Sequence, residues 1–280
     1  MATIEKKGGV IIIRNYNSDS ASEDEKTKKI TDHTANTWQP DRGAKEKLAD
    51  TKIGKIAETL FEEYVKQYKL LYWSYDSFRK NNFEKHAPFD GLIFREQKKE
   101  LAAELVKRIN TEISASDYGK VSTGLLSDLS SSKIFTVEVK STRITDRHKT
   151  NGDYDIAKIK SDDFLAYPHD LRSTSRDFNL STYADFLIQN GKINVPVGQD
   201  KIAVLKKYEM QFMMDIYVRV YIDEANKTGL IMGYITKGDF VANATIKKMF
   251  LKGKSELPIY LATTITNGKS VDEISNTITN

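Results

Sequence analysis

The chain has 280 residues, a length that suits one large domain or one domain with an added segment. It contains no cysteine, which excludes disulfides, thiolate zinc sites and a cysteine nucleophile. No stretch approaches the roughly 20 apolar residues of a membrane span, and the apolar run 10–13 is too short for a signal-peptide core, so a cytoplasmic protein is expected. Lys and Arg exceed Asp and Glu by 43 to 39, an excess that permits a nucleic-acid partner without requiring one.

The N-terminal part of the chain differs in composition from the rest. Residues 15–43 are polar, rich in Ser, Thr and Asp, and show no hydrophobic periodicity, which is typical of a long loop or an arm. Periodic segments begin shortly after this stretch. The sequence therefore predicts an N-terminal arm over residues 1–45 and a folded domain over residues 46–280.

The first half of the domain alternates between helical and extended patterns. Apolar residues spaced by three and four positions predict helices over 52–69 and 96–113. Apolar and aromatic runs predict strands over 70–75 and 86–94, and the polar stretch 114–124 is expected to be a loop. Helices and strands are therefore interleaved from the start of the domain.

The second half contains the clearest strand pattern of the chain, over residues 133–142, where apolar and polar residues alternate as in a strand with one buried face. The remaining predicted elements are strands over 210–222, 229–236 and 257–263, a helix over 239–250, and short helices and loops over 150–208. The order of helix, strands, helix, strands and helix predicts an α/β or α+β fold, with a mixed central β-sheet flanked by helices.

Glu138 and Lys140 stand on one face of the clearest strand. Val139 points to the opposite face together with Phe135 and Val137, where all three can pack into a core. A carboxylate and an ammonium group are thereby anchored side by side on a rigid element, which suits a functional site. Taken alone, the pair is better explained as a solvated ion pair on a strand surface.

Asp90 supplies the second feature, because it lies among apolar residues of an earlier strand pattern. A carboxylate in such surroundings is costly unless it is paired, hydrogen-bonded or bound to a metal. If the strands at 86–94 and 133–142 are neighbours, Asp90 and Glu138 can share one divalent cation, for which Mg²⁺ is suited and Mn²⁺ is a substitute. Lys140 could then orient a water molecule or offset charge on a phosphate, which predicts phosphodiester hydrolysis.

The segments PFDG at 88–91 and VEVKS at 137–141 resemble the PD-(D/E)XK nuclease superfamily, whose members share a restriction-endonuclease-like fold. In that family an Asp on one strand and a Glu-x-Lys on the next form the metal site, and these positions match Asp90, Glu138 and Lys140. Two departures stand out. The Pro is not adjacent to Asp90, and Asp90 and Glu138 are farther apart in the chain than is usual for the family.

The resemblance implies further residues and a function. A Glu on the helix before the first strand often completes the metal site of the family, and Glu58 matches that position, with Glu62 one turn later as a substitute. It implies insertions into the nuclease domain at 96–132 and 150–208. It also implies a Mg²⁺-dependent endodeoxyribonuclease, specifically a type II restriction endonuclease that cuts double-stranded DNA as a homodimer.

Asp128 remains an alternative to Asp90, because it stands much closer to Glu138 in the chain. Its surroundings, LLSDLSSS, have the composition of a loop, whereas the residues around Asp90 have that of a strand. A strand holds a metal ligand more rigidly than a loop does. Asp90 is therefore the preferred candidate.

Basic residues follow the Glu-x-Lys motif directly. Arg143, Arg147 and Lys149 are candidate contacts to DNA phosphates, although an ordinary basic loop has the same composition. Two other functions remain open at this stage. One is a structure-selective repair, phage or junction-resolving nuclease, and the other is a catalytically inert nucleic-acid-binding module.

Overall fold

A computed structural model describes residues 2–17, 27–32, 43–80, 83, 85–116, 119–161, 163, 165–173, 179–248 and 257–279. The strands are β1 (Thr3–Lys7), β2 (Val10–Arg14), β3 (Leu70–Ser74), β4 (Gly91–Arg95), β5 (Phe135–Arg143), β6 (Lys149–Thr150), β7 (Asp153–Tyr154), β8 (Leu165–Ser173), β9 (Ile216–Asp223), β10 (Thr228–Thr236), β11 (Thr245–Lys248) and β12 (Leu257–Thr263). The helices are α1 (Ala44–Lys66), α2 (Tyr75–Phe78), α3 (Lys99–Ala115), α4 (Thr123–Ser131), α5 (Ile156–Ser161), α6 (Leu180–Gln189), α7 (Lys201–Met210), α8 (Lys237–Ala242) and α9 (Ile274–Thr279).

Among these residues, seven strands form one mixed sheet in the order β1-β2-β10-β9-β5-β4-β3. The β5–β9 pair is parallel, and every other pair of neighbours in this sheet is antiparallel. A second sheet of the described residues has the order β11-β12-β8. The prediction of a mixed central sheet flanked by helices is therefore confirmed.

Two apolar layers enclose the central sheet. On one face, the apolar side of α1 and residues of α9 pack against Val137 and Val139 of β5 and Val218 of β9. On the other face, α3, α4 and α8 pack against residues such as Leu92 and Tyr217. Because β5 has both neighbours within the sheet and helices on both sides, its side chains are held on a rigid framework.

The first helix begins and ends earlier than the predicted helix at 52–69. It starts after Gly43 and ends at Lys66, because Lys69 takes a positive φ of 56° that turns the chain into β3. The buried residues of α1 still include Ile53, Leu60 and Tyr64, so the predicted apolar face of the helix is the one that packs on the sheet.

The prediction of an N-terminal arm over residues 1–45 is wrong for residues 3–14, which form two strands of the central sheet. Residues 10–13, too few to show periodicity, are buried in β2, which pairs with β10. Strand β1 then extends the same sheet by pairing with β2. Residues 27–32 are helical, and residues 18–26 and 33–42 of the predicted loop lie outside the described residues.

The segment around Asp128 is a helix, α4, and not the expected loop. Ser122 caps its N-terminus, since the Ser122 side chain accepts a hydrogen bond from the Leu125 backbone N–H at 3.1 Å. Leu125 and Leu129 are buried one turn apart. The serines gave the segment a loop-like composition, but a capping serine and a leucine stripe suffice for a short helix that packs against the core.

Two later boundaries also differ from the sequence prediction. Helix α7 extends to Met210, so the strand predicted over 210–222 begins only at Ile216. The helix predicted over 239–250 ends at Ala242, and the chain returns as β11, which pairs with β12. Pairing between strands that are distant in the chain can override local helix propensity. No described helix is long and apolar enough to cross a membrane.

Candidate functional site

Asp90 directly precedes β4 and lies against the middle of β5. The strand predicted over 86–94 begins only at Gly91, so Asp90 is held by pairing with β5 and not by a place within β4. Its backbone N–H donates a hydrogen bond to the Val137 carbonyl at 3.0 Å, which continues the pairing of the two strands by one residue. Its carboxylate Oδ2 accepts a hydrogen bond from the Val139 N–H at 2.6 Å. Because Val139 stands between Glu138 and Lys140, the Asp90 carboxylate is fixed beside the Glu-x-Lys motif. The two strands are neighbours, as a shared site requires.

Glu138 and Lys140 share one face of β5, and their side chains are partly exposed. Lys140 Nζ donates to Glu138 Oε1 at 2.5 Å. The alternating residues Val137 and Val139 are buried against α1. The strand thus carries an apolar face that anchors it and a charged face that is partly open to solvent.

Glu58 lies on α1 and is buried. Its Oε1 accepts from Lys55 Nζ at 2.6 Å, and the same ammonium lies 2.8 Å from Asp76 Oδ2. Arg79 contacts the other oxygen of Asp76 at 3.0 Å. Lys55 and Asp76 were not singled out from the sequence, since Lys55 reads as one more polar residue of an amphipathic helix and Asp76 lies in an aromatic run that predicts packing.

The carboxylates of Glu58, Asp90 and Glu138, called the carboxylate cluster from here on, influence one another electrostatically. Burial raises the pKa of Asp90 well above its usual range, and the negative charges of Glu138 and Glu58 raise it further. Lys55 and Lys140 act in the opposite direction but do not cancel the effect. Three acidic groups are therefore held closer together than their mutual repulsion favours.

The negative charges of the carboxylate cluster also shift the pKa values of Lys55 and Lys140. Burial lowers the pKa of Lys140, but the carboxylates of Glu138 and Asp90 outweigh it, so the net shift is upward. Burial likewise opposes the charge on Lys55, and Glu58, Asp76 and Asp90 together raise its pKa above the usual value. Both ammonium groups therefore stay protonated, and they offset part of the negative charge of the carboxylate cluster.

The alternative acidic candidates lie elsewhere. Asp128 is on the exposed side of α4 and pairs with Arg108 of α3 at 2.8 Å. Glu62 pairs with Lys66 one turn farther along α1 at 2.8 Å. Each has a surface partner of opposite charge, so neither has the environment that distinguishes Asp90.

The candidate DNA contacts are mostly paired with acids. Arg143 contacts Asp50 through Nη1 and Glu224 through Nε, the latter at 2.9 Å. Lys149 lies 2.7 Å from a carboxylate oxygen of Asp223. Arg147 differs from these two, because its Nε contacts the neighbouring His148 ring at 3.2 Å. The basic segment after β5 is thus partly neutralised by its own surroundings.

The donor set of the carboxylate cluster suits a hard divalent cation, because all of its donors are oxygens. Within the part of the chain that the structure describes, no three acidic or histidine side chains are already arranged as a set of metal ligands. The contacts above give the reason: Glu58 and Glu138 each face a lysine. A divalent cation would relieve the crowding that raises the pKa of Asp90, so the residues fit such an ion electrostatically.

Comparisons of the chain with protein-family models, with curated proteins and with solved structures returned no match.

Proposed function

We propose that the chain is a Mg²⁺-dependent endodeoxyribonuclease that hydrolyses phosphodiester bonds of double-stranded DNA, with Asp90, Glu138 and Lys140 as the core of its active site. One observation carries the proposal. The Asp90 carboxylate accepts a hydrogen bond from the Val139 N–H at 2.6 Å, so the acid that directly precedes one strand lies against a Glu-x-Lys motif on the next. An isolated surface ion pair would not require a third charged group there.

The order of elements around the site supports the same proposal. Helix α1 precedes the antiparallel series β3-β4-β5, and β9 then joins β5 in parallel. The Asp directly precedes the second of these strands, and the Glu-x-Lys lies on the third. This is the arrangement that the resemblance to the PD-(D/E)XK superfamily leads one to expect, and we extend the proposal to that fold family.

Asp90 and Glu138 would hold the cation, and Glu58 would supply a third oxygen. When bound, the ion would polarise the scissile phosphate and lower the pKa of a water molecule. Mn²⁺ would substitute for Mg²⁺. The rest of the proposal concerns the residues of the chain itself.

Lys140 is the group placed to meet the phosphate. It carries a positive charge, it is partly exposed, and its neighbour Glu138 holds it on the open face of β5. An ammonium held on a strand can stabilise negative charge as it develops on a phosphate oxygen. Val139 contributes through its backbone, since its N–H orients the Asp90 carboxylate. The apolar residues on the opposite face of β5 keep these groups in register.

The finer assignment is a sequence-specific restriction endonuclease that acts as a homodimer in the cytoplasm. It extends the proposed chemistry by analogy with the fold family and not through a contact of this chain. A sequence-specific enzyme produces discrete bands from phage DNA, whereas a structure-selective nuclease does not. Sequencing the ends of the fragments would then identify the site.

The test of the nuclease activity is direct. The chain is incubated with plasmid and phage DNA in Mg²⁺, in Mn²⁺ and in EDTA, beside the variants Glu138→Gln and Lys140→Met. The matched control is Asp128→Asn, an acid that lies in a surface ion pair away from β5. Cleavage by the wild type and the control, but not by the two variants or in EDTA, would support the proposal. Cleavage that persists in EDTA, or in both variants, would refute it.

A further inference from the structure

Tyr72 is a buried tyrosine of β3 whose side chain faces α1. Its ring makes an edge-on contact with Phe61 of α1, with 5.4 Å between the ring centroids. Packing of this kind fixes the ring and leaves its hydroxyl group at a defined place. That place lies next to the carboxylate cluster.

Gly91 shows where the hydroxyl lies. A Cβ atom at residue 91 would come within 2.5 Å of Tyr72 Cζ and 2.6 Å of Tyr72 Oη. The end of the phenol therefore occupies the space in which any other residue would place its side chain. Glycine is required at residue 91 for that reason, and since Gly91 follows Asp90 directly, the hydroxyl group is held against the residue next to Asp90.

The Tyr72 hydroxyl is fully buried and has no hydrogen-bond partner among the described residues. A buried hydroxyl that lacks a partner is costly, and in native proteins such a group calls for an explanation. Burial raises the pKa of Tyr72, and the charges of Glu58, Asp90, Glu62 and Glu138 raise it further. The phenol therefore keeps its proton and remains a donor in a region that is rich in acceptors.

We propose that Tyr72 is a positioning residue of the cation site, whose hydroxyl donates a hydrogen bond to a water molecule bound by the cation that Asp90 and Glu138 hold. This inference rests on the proposed function. Groups behind the direct ligands orient the water molecules and carboxylates of a metal site, and their loss weakens metal binding. The role explains why the phenol is buried against Gly91 without a hydrogen-bond partner among the described residues.

Tyr64 offers a matched control. It lies on α1 in the same apolar layer, and its hydroxyl has a partner within the chain, Tyr68 Oη, at 2.7 Å. The changes Tyr72→Phe and Tyr64→Phe thus each remove one hydroxyl from the same core. Only the first removes a group beside the carboxylate cluster.

The experiment measures Mn²⁺ binding to the full chain without DNA, by electron paramagnetic resonance of the free ion, together with the Tm of the metal-free proteins. For Tyr72→Phe we expect affinity for Mn²⁺ to fall about tenfold or more, with a metal-free Tm equal to or above that of the wild type. For Tyr64→Phe we expect unchanged affinity and a lower Tm, because a satisfied hydrogen bond is lost.

The experiment distinguishes a failure of the role proposed for Tyr72 from a failure of the proposed function. If the wild type binds Mn²⁺ and Tyr72→Phe binds it equally well, the role of Tyr72 is refuted and the proposed function stands. A metal-free Tyr72→Phe protein that unfolds at a lower temperature than the wild type would show that the hydroxyl has a partner within the chain, which also refutes the inference. A wild-type chain that binds no Mn²⁺ would refute both the role of Tyr72 and the proposed function.

Discussion

Asp90 and Asp163 both have carboxylates that lie against the central sheet, and their surroundings differ in kind. Asp163 is buried and accepts hydrogen bonds from Arg219 Nε at 2.6 Å, from Tyr221 Oη at 2.8 Å and from the Ile265 N–H at 3.0 Å. Asp90 accepts one from the Val139 N–H, and its closest charged neighbours include two further acids. The charge of Asp163 is compensated by the guanidinium of Arg219. The charge of Asp90 is opposed by Glu138 and Glu58 and is only partly offset by two lysines.

The difference separates a structural acid from a candidate functional one. A buried ion pair with all its hydrogen bonds made is a feature that holds elements of a fold together. A cluster of like charges with a raised pKa is unfavourable unless it does something else, which is why such groups concentrate at functional sites. Burial of an acid alone does not distinguish the two cases, and the sign of the neighbouring charges does.

The largest expected effect is on the Asp90 side of the comparison. Under the proposed function, Asp90→Asn should reduce DNA cleavage by roughly 1,000-fold or more, because a ligand of the cation is lost. The folded state should be as stable as the wild type at pH 7 or more stable. A group whose folded pKa is raised destabilises the folded state once it ionises, and asparagine cannot ionise.

Initial cleavage rates on plasmid DNA and urea unfolding at pH 7 measure both properties on the same preparation. Activity within tenfold of the wild type would remove Asp90 from the site. A marked loss of stability would instead place Asp90 with Asp163, as an acid that the fold needs.

The next effect concerns Asp163. The change Asp163→Asn should destabilise the fold by about 3–5 kcal/mol, because it leaves Arg219 buried without its counter-charge. The matched control is Asp185→Asn on α6, whose partner Lys201 is at the surface, and there a loss below about 1 kcal/mol is expected. Urea unfolding of the two variants gives the comparison, and equal losses would contradict it.

The buried acid Glu209 tests how far burial shifts a pKa where no neighbouring acid contributes to the shift. Glu209 of α7 accepts a hydrogen bond from Tyr183 Oη at 2.6 Å. Burial raises the pKa of Glu209 from 4.5 to about 7, while the bond from Tyr183 lowers it. The folded state therefore holds this proton more tightly than the unfolded state. The contribution is fully present below pH 4.5 and is lost as the pH rises through about 7.

Between pH 5 and pH 8 the wild type should therefore lose about 2–3 kcal/mol of stability relative to Glu209→Gln, as the shift in pKa requires. Glutamine keeps an acceptor for Tyr183 and has no proton to release. Urea unfolding of both proteins at the two pH values isolates the contribution of this residue. A difference that does not change with pH would show that Glu209 titrates normally.

The smallest expected effect concerns the basic segment after β5. If the chain binds DNA there, Arg147→Ala should reduce the slope of log affinity against log salt concentration by about one. Arg143→Ala should change it less, because Arg143 already contacts Asp50 and Glu224. Fluorescence anisotropy with a labelled duplex in Ca²⁺ at several salt concentrations gives both slopes. A larger change for Arg143 than for Arg147 would show that DNA displaces the acids.

Several features followed from local patterns in the sequence. The alternation over 133–142 predicted β5, and the spacing of apolar residues predicted the buried face of α1. These patterns are readable because a strand or a helix with one buried face imposes a period of its own. The strands β1 and β2 were not predicted from the sequence, because each is too short to show a period and is defined by its pairing with other strands.

The sequence by itself determined which residues could form the site: an acid among apolar residues at Asp90 and a Glu-x-Lys on the clearest strand. The tertiary structure alone decided which charges meet. It placed Asp128 at the surface beside Arg108, brought Lys55 and Asp76 next to Glu58, and paired Arg143 with distant acids. The reason is physical: periodicity reports burial along one element, whereas electrostatic environment depends on groups that are distant in the chain and become neighbours only on folding.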